Sequence, residues 1–177
     1  AEVQGITFRR EQGEIAENSW REPIDLSDVP FVYSDMKDFE HKIIYYESSR
    51  GCPFSCSYCL SSVDKRLRFR RLDLVKRELQ FFIDHKVPQV KFVDRTFNCK
   101  HEHAMEIWRY LVAHDNGITN FHFEVAADLL NEEEIALTRT MRPGLIQLEI
   151  GVQSTNPETI REIRRTMRFE EVKAHVE

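Results

Sequence analysis

Four times after residue 41, a short apolar segment that reads as a β-strand is followed by a segment with helical periodicity. This alternation constrains the fold more than any other feature, because strand-helix repeats bury the faces of a parallel sheet beneath helices. The first strand covers residues 42–47, and its helix, residues 73–85, carries Val75, Leu79, Phe82 and Ile83 on one face. Val87-Pro88 ends that helix, since the residue before a proline is pushed out of the α region. The second strand, residues 89–94, leads through Thr96-Phe97-Asn98 into a helix whose Ala104, Ile107, Trp108, Leu111 and Val112 form one apolar stripe. Asn116-Gly117 supplies its stop. The third strand, residues 121–126, precedes Asn131, a helix cap with Glu134 in the capping-box position. Pro143-Gly144 then resets the chain. The fourth strand, residues 145–152, runs into Asn156-Pro157, an N-cap followed by a first-turn proline.

Within the strands, residues of opposite character alternate. Ile146, Leu148, Ile150 and Val152 share one face, and Gln147, Glu149, Gly151 and Gln153 the other. The third strand repeats this, with Phe121, Phe123 and Val125 opposed to His122, Glu124 and Ala126. The oily phase meets the helices; a polar inward phase predicts a channel that holds ligand and water rather than a filled barrel. Residues 1–41 show no sustained periodicity, and Trp20, Pro23, Pro30, Phe31 and Tyr33 stand there among acidic and turn-forming residues. That segment is expected to be a linker or N-terminal arm, and residues 42–177 the core.

The net charge of -5 argues against a general binder of nucleic acid or anionic membranes. No apolar run is long enough to span a bilayer, and the first 30 residues lack a secretory pattern. A cytoplasmic protein is expected.

Three of the four cysteines fall within eight positions, in Arg50-Gly51-Cys52-Pro53-Phe54-Ser55-Cys56-Ser57-Tyr58-Cys59, while Cys99 stands alone. A disulfide framework is not laid out this way; ligation is the better reading. The C-x3-C-x2-C loop directly follows a strand. Three thiolates can bind three irons of a cubane cluster and leave the fourth open to an exogenous donor. Spacing leaves two other readings in view. One is a zinc module of three cysteines and a histidine, although no second C-x2-C pair is present. The other is an electron-transfer module, whose fourth thiolate could come only from Cys99.

The loop resembles the signature of the radical S-adenosylmethionine (SAM) superfamily, in which the residue before the last cysteine is usually aromatic, as Tyr58 is. The resemblance implies that Cys52, Cys56 and Cys59 hold a [4Fe-4S] cluster, that SAM chelates the open iron, and that its reductive cleavage gives a 5′-deoxyadenosyl radical. It also implies a partial TIM-type (β/α)6 barrel, an α/β fold of which about four βα units are legible here, so that the core is C-terminally incomplete. Glu124 matches a carboxylate that other members aim at SAM. Gln153, in Glu149-Ile150-Gly151-Val152-Gln153-Ser154, resembles the glutamine of the members' fourth-strand run, and Arg165 falls where they place an arginine near the SAM carboxylate. Asp94 occupies the region of their Gly-Gly-Glu run, from which Val93-Asp94-Arg95-Thr96 departs.

The wording of residues 46–52, 92–98 and 149–154 is similar to the branch that often carries an amino-terminal cobalamin-binding domain, and residues 25–33 resemble the connector to it. Cobalamin would then be used through a domain absent from this chain. The reaction implied is a methyl transfer, methylthiolation or rearrangement on an unnamed substrate, with an electron donor such as flavodoxin or ferredoxin. The basic run at residues 64–71 is expected to be a solvated face, with screening of the cluster or receipt of an anionic substrate as the alternative. His101 and His103 fall at a helix start, where a metal role is not expected.

Overall fold

The computed structural model describes residues 2–176. An antiparallel hairpin comes first, β1 (Thr7–Arg9) against β2 (Ile15–Glu17). Its strands are too short and too exposed to leave an apolar alternation in the sequence, which is why no regular structure was expected there. The body follows with β3 (Ile44–Tyr46), β4 (Ser49–Arg50), β5 (Arg68–Phe69), α1 (Leu72–Asp84), β6 (Gln89–Phe92), α2 (His101–Ala113) and β7 (Asn120–Val125). It closes with α3 (Glu132–Arg139), β8 (Ile146–Ile150), α4 (Pro157–Glu162) and α5 (Phe169–Val176).

Strands β3, β6, β7 and β8 form one parallel sheet in that order, each beside its predecessor among the four. The sheet is a segment of a TIM-type barrel wall rather than a closed barrel. β3, β6 and β8 are shorter than the sequence suggests, whereas β7 keeps six residues and begins one position earlier than expected. Helix ends follow the local chemistry. Asn131 and Glu134 exchange side-chain and backbone hydrogen bonds at 2.9 and 3.0 Å, a capping box that starts α3. At the end of α1, Lys86 turns left-handed with φ 52°, and Val87 N–H reaches back to the Phe82 carbonyl at 3.0 Å.

The two phases of the strands separate as their alternation predicts. Val90, Phe92, Phe121 and Phe123 are buried with α1 and α2 residues in an aromatic-rich core. Phe123 packs within 4.4 Å of Phe92 and 4.3 Å of Phe97, centroid to centroid, and Phe97 within 5.6 Å of Trp108. Such rings contribute large buried area together with edge and offset contacts. On the opposite phase, Lys91 and His122 both reach Glu149 Oε2 at 3.2 Å. The arm lies against this body: Phe31 and Tyr33 pack on Phe82, and the Tyr33 hydroxyl donates to the Tyr45 carbonyl at 2.6 Å.

Candidate functional site

The cysteine loop is held at both ends by backbone. It is framed by an antiparallel pair, β4 against β5, that the sequence did not reveal. Gly51 has φ 99°, and a side chain there would collide with the Arg66 carbonyl, so the chain can turn into the loop only without a Cβ. Cys52 N–H donates to the Asp64 carbonyl at 3.2 Å, and Ser57 N–H to the Ile163 carbonyl at 2.9 Å, which ties the loop to the end of α4. All four cysteines are free thiols; Cys52 and Cys56 are buried, and Cys59 is half-buried.

These three cysteines line one cavity of about 250 Å³ at the C-terminal ends of the parallel strands. Ligands in open parallel sheets and barrels bind at that end. The same wall carries Tyr58, Glu124, Gln153 and Arg165, so the structure brings together residues spread over more than a hundred positions. Each is put there by a local device. Helix α4 ends in a left-handed Arg164, φ 54°, with Arg165 N–H bonded back to the Ile160 carbonyl at 3.1 Å, and this turn swings Arg165 to the cavity. Its guanidinium donates to the Gly151 carbonyl at 2.5 Å and the Tyr58 hydroxyl at 3.3 Å. Its Nε is buried without a hydrogen-bond partner. Gln153 is also left-handed, φ 61°, and its amide folds over Gly151, where a Cβ would stand 2.8 Å from Nε2.

Asp94 is not on this wall. It is fully buried, and its carboxylate accepts from Ser48 N–H at 2.8 Å, Ser48 Oγ at 2.6 Å and Ser49 Oγ at 2.7 Å. It therefore anchors the segment entering the cysteine loop, and Arg95 and Thr96 take the place on the wall expected of it. Burial outweighs the three donors and pushes its carboxyl up to about 6. Asn98 is a second anchor: its side chain makes two bonds to the backbone of Ala126, at 2.9 and 3.0 Å, and so fixes the strand end beside Glu124. Buried polar residues in βα loops are the signal that could have found both, though not which partners they hold.

The basic run is not a free patch. Arg66 pairs with Glu22, Arg68 with Asp64, Arg70 with Glu78 and Arg71 with Asp73. Arg70 is buried, reaches Glu78 at 2.5 Å and donates to the carbonyls of Leu26 and Val29, so this residue fastens the arm to the body. Of the two histidines, His103 is buried against Ser48, and His101 bonds Glu134 at 3.0 Å. Cys99 is outside the cavity lining, and burial pushes its thiol up to about 11.

The donor set fits an iron-sulfur cluster. It consists of thiols, the soft ligands that select such clusters, around a cavity that is also lined by Arg165, whose buried Nε has no partner. Among the described residues no three His, Cys, Asp or Glu groups converge on a single-ion position. A cubane places its three thiolates on three separate irons, so it requires sulfurs around a space rather than at a point.

Comparisons with known proteins agree. Residues 46–177 match the sequence model of the Radical SAM superfamily. The anaerobic magnesium-protoporphyrin IX monomethyl ester cyclase of Synechocystis is 26% identical over 92% of this chain and 34% of its own length. The bacteriochlorophyllide d C-12(1)-methyltransferase of Chlorobaculum tepidum is 24% identical over 67% of this chain and 26% of its own. The chain thus spans about a third or less of these curated relatives. In fold, it superimposes with TM-score 0.75 over 99% of its length on 38% of the radical SAM methyltransferase TsrM of Kitasatospora setae, solved with cobalamin and a [4Fe-4S] cluster bound, at 17% identity. Among the described residues no helix is long and apolar enough to cross a membrane.

Proposed function

The chain belongs to the radical SAM superfamily, and from that premise we propose that it is the core of an enzyme that cleaves SAM reductively at a [4Fe-4S] cluster held by Cys52, Cys56 and Cys59. The observation that carries this reading is the convergence of the three cysteines with Tyr58, Glu124, Gln153 and Arg165 on one cavity. When bound, the cluster supplies one electron and an open iron to SAM. The protein's part is positional. Arg165, braced by Tyr58 and Gly151, presents a cation and a free Nε–H to the methionyl carboxylate. Glu124 is half-buried on the wall and offers a carboxylate to the amine or ribose hydroxyls, and the Gln153 amide offers both a donor and an acceptor.

The relatives' names favour a methyl transfer or a ring-forming reaction on a large substrate over methylthiolation, with cobalamin supplied through a segment outside residues 1–177 and a flavodoxin- or ferredoxin-type electron donor. Residues 1–41 serve as the connecting arm and residues 42–177 as the catalytic core. The test is anaerobic reconstitution with iron and sulfide, reduction with dithionite in the presence of SAM, and assay for 5′-deoxyadenosine. Formation that disappears in Cys56→Ala supports the proposal. A cluster that forms without SAM cleavage, in this chain and in a longer one, would leave an electron-transfer module; zinc in place of a cluster would exclude both.

A further inference from the structure

The wall residue that replaces Asp94 beside the cysteines is Thr96, and its contact is specific. Its Oγ1 lies 3.5 Å from Cys52 Sγ, within the reach of a hydrogen bond to sulfur, across 44 residues of sequence. Both groups are buried, Thr96 at 5% and Cys52 at 8% exposure. Among the described residues no other cysteine sulfur of the loop has a side-chain hydroxyl, amide or cationic nitrogen at hydrogen-bonding distance.

A hydroxyl has one proton to give. With Cys52 as a thiol, Thr96 donates to its neighbour's carbonyl, Arg95 O, at 2.8 Å, and the thiol proton can bridge to Oγ1. As a cluster ligand Cys52 is a thiolate and has no proton to offer. The negative sulfur then competes for the hydroxyl proton, and a rotation about the Thr96 Cβ–Oγ1 bond redirects it, because hydrogen bonds to a charged acceptor are about twice as strong as neutral ones. One-electron reduction of the cluster puts further negative charge on its sulfurs. A donor aimed at one of them stabilises the reduced state more than the oxidised state and raises the potential.

We propose that Thr96 is a positioning residue that tunes the cluster by donating a hydrogen bond to the Cys52 thiolate, which makes the cluster easier to reduce. The proposal rests on the assignment of Cys52 as a cluster ligand. Val at this position keeps the shape of Thr and removes only the hydroxyl, whereas Ser keeps the hydroxyl. The experiment reconstitutes the parent chain, Thr96→Val, Thr96→Ala and Thr96→Ser anaerobically with iron and sulfide, and titrates each with a reductant while the electron paramagnetic resonance of the reduced cluster is recorded. The expected result is a more negative midpoint in Thr96→Val and Thr96→Ala, by about tenfold in the reduced-to-oxidised ratio at fixed potential, which is about 59 mV for one electron. Thr96→Ser stays with the parent. Equal midpoints in all four proteins overturn the proposal, and so does a Thr96→Ser protein that shifts as far as Thr96→Val, because packing of the methyl group would then be the cause. Thr96→Ala serves if Thr96→Val does not load. A parent chain that assembles no cluster overturns the ligand assignment itself, an outcome distinct from a cluster whose potential ignores the hydroxyl.

Discussion

Ser48 holds Asp94 by both carboxylate oxygens, its backbone N–H reaching Oδ1 at 2.8 Å and its hydroxyl reaching Oδ2 at 2.6 Å. Because that hydroxyl donates to Asp94, it is an acceptor for His103, whose Nε2 stands 3.3 Å away. Burial acts on the two ends of this chain in opposite senses. It pushes Asp94 up to about 6 and, with Lys100 nearby, pulls His103 down to about 4.

The consequence is a pair of opposed pH dependences. Asp94 has a folded-state pKa above its unfolded value of 3.8, so its contribution to stability is fully present below about pH 4 and lost as pH rises through 6. His103 lies below its unfolded 6.5, so its contribution is present above pH 6.5 and lost as pH falls towards 4. Each amounts to roughly 3 kcal/mol at one unit per 1.36 kcal/mol, and between pH 4 and 6.5 they offset one another. Asp94→Asn is expected to make stability fall steeply towards pH 4, and His103→Gln to make it rise. Urea unfolding midpoints at half-unit steps of pH decide it; parallel curves for all three proteins would dispose of the argument.

Gly51→Ala places a Cβ against the Arg66 carbonyl at φ 99°. Neither atom is the end of a flexible side chain, so the backbone must move. The strain is on the order of 1–3 kcal/mol. The melting temperature should drop, and iron content after reconstitution should drop with it, since Cys52 is the next residue.

Gly151→Ala tests a different kind of contact. The obstacle is the Gln153 amide, which can swing away, so the fold should melt within about 1 kcal/mol of the parent. With the amide displaced, SAM affinity of the reconstituted protein should weaken several-fold in equilibrium dialysis. Unchanged affinity would remove Gln153 from the cofactor site.

Arg70→Met leaves Glu78 buried without its cation, with only the Tyr46 hydroxyl, at 2.7 Å, still donating to it. Breaking such a pair costs about 3–5 kcal/mol, whereas Arg70→Met with Glu78→Leu should recover much of the loss. Both variants also remove the donors to the Leu26 and Val29 carbonyls, so limited proteolysis should cut the arm near residues 25–33 faster in each than in the parent.

The βα order, the capping box at Asn131 and the cysteine loop were legible because each depends on residues close in sequence. The β1–β2 hairpin was not, since three-residue strands with mostly exposed side chains have no period to read. Asp94 was legible as a polar group at a strand end but not as an anchor. What separates an anchor from a cofactor contact is the presence of Ser48 and Ser49, some 45 residues earlier, and register across β3 and β6 alone decides that they meet. Arg165 was reached through resemblance; its geometry depends on Arg164 accepting a left-handed turn with no glycine to announce it. Thr96 reads as a loop residue because its partner is a thiol 44 residues earlier, in the loop that follows β4.

The order of the parallel sheet, β3-β6-β7-β8, repeats the order of those strands along the chain. Each strand therefore docks on one that was synthesised shortly before it, and no pairing waits for a distant segment. A wall of this kind can grow by accretion as the polypeptide leaves the ribosome, with every new βα unit finding its template already in place. The cysteine loop precedes every helix that follows a sheet strand, so the thiols emerge early and the part of the cavity that shields them is added afterwards. Metal delivery and translation would then share a timetable.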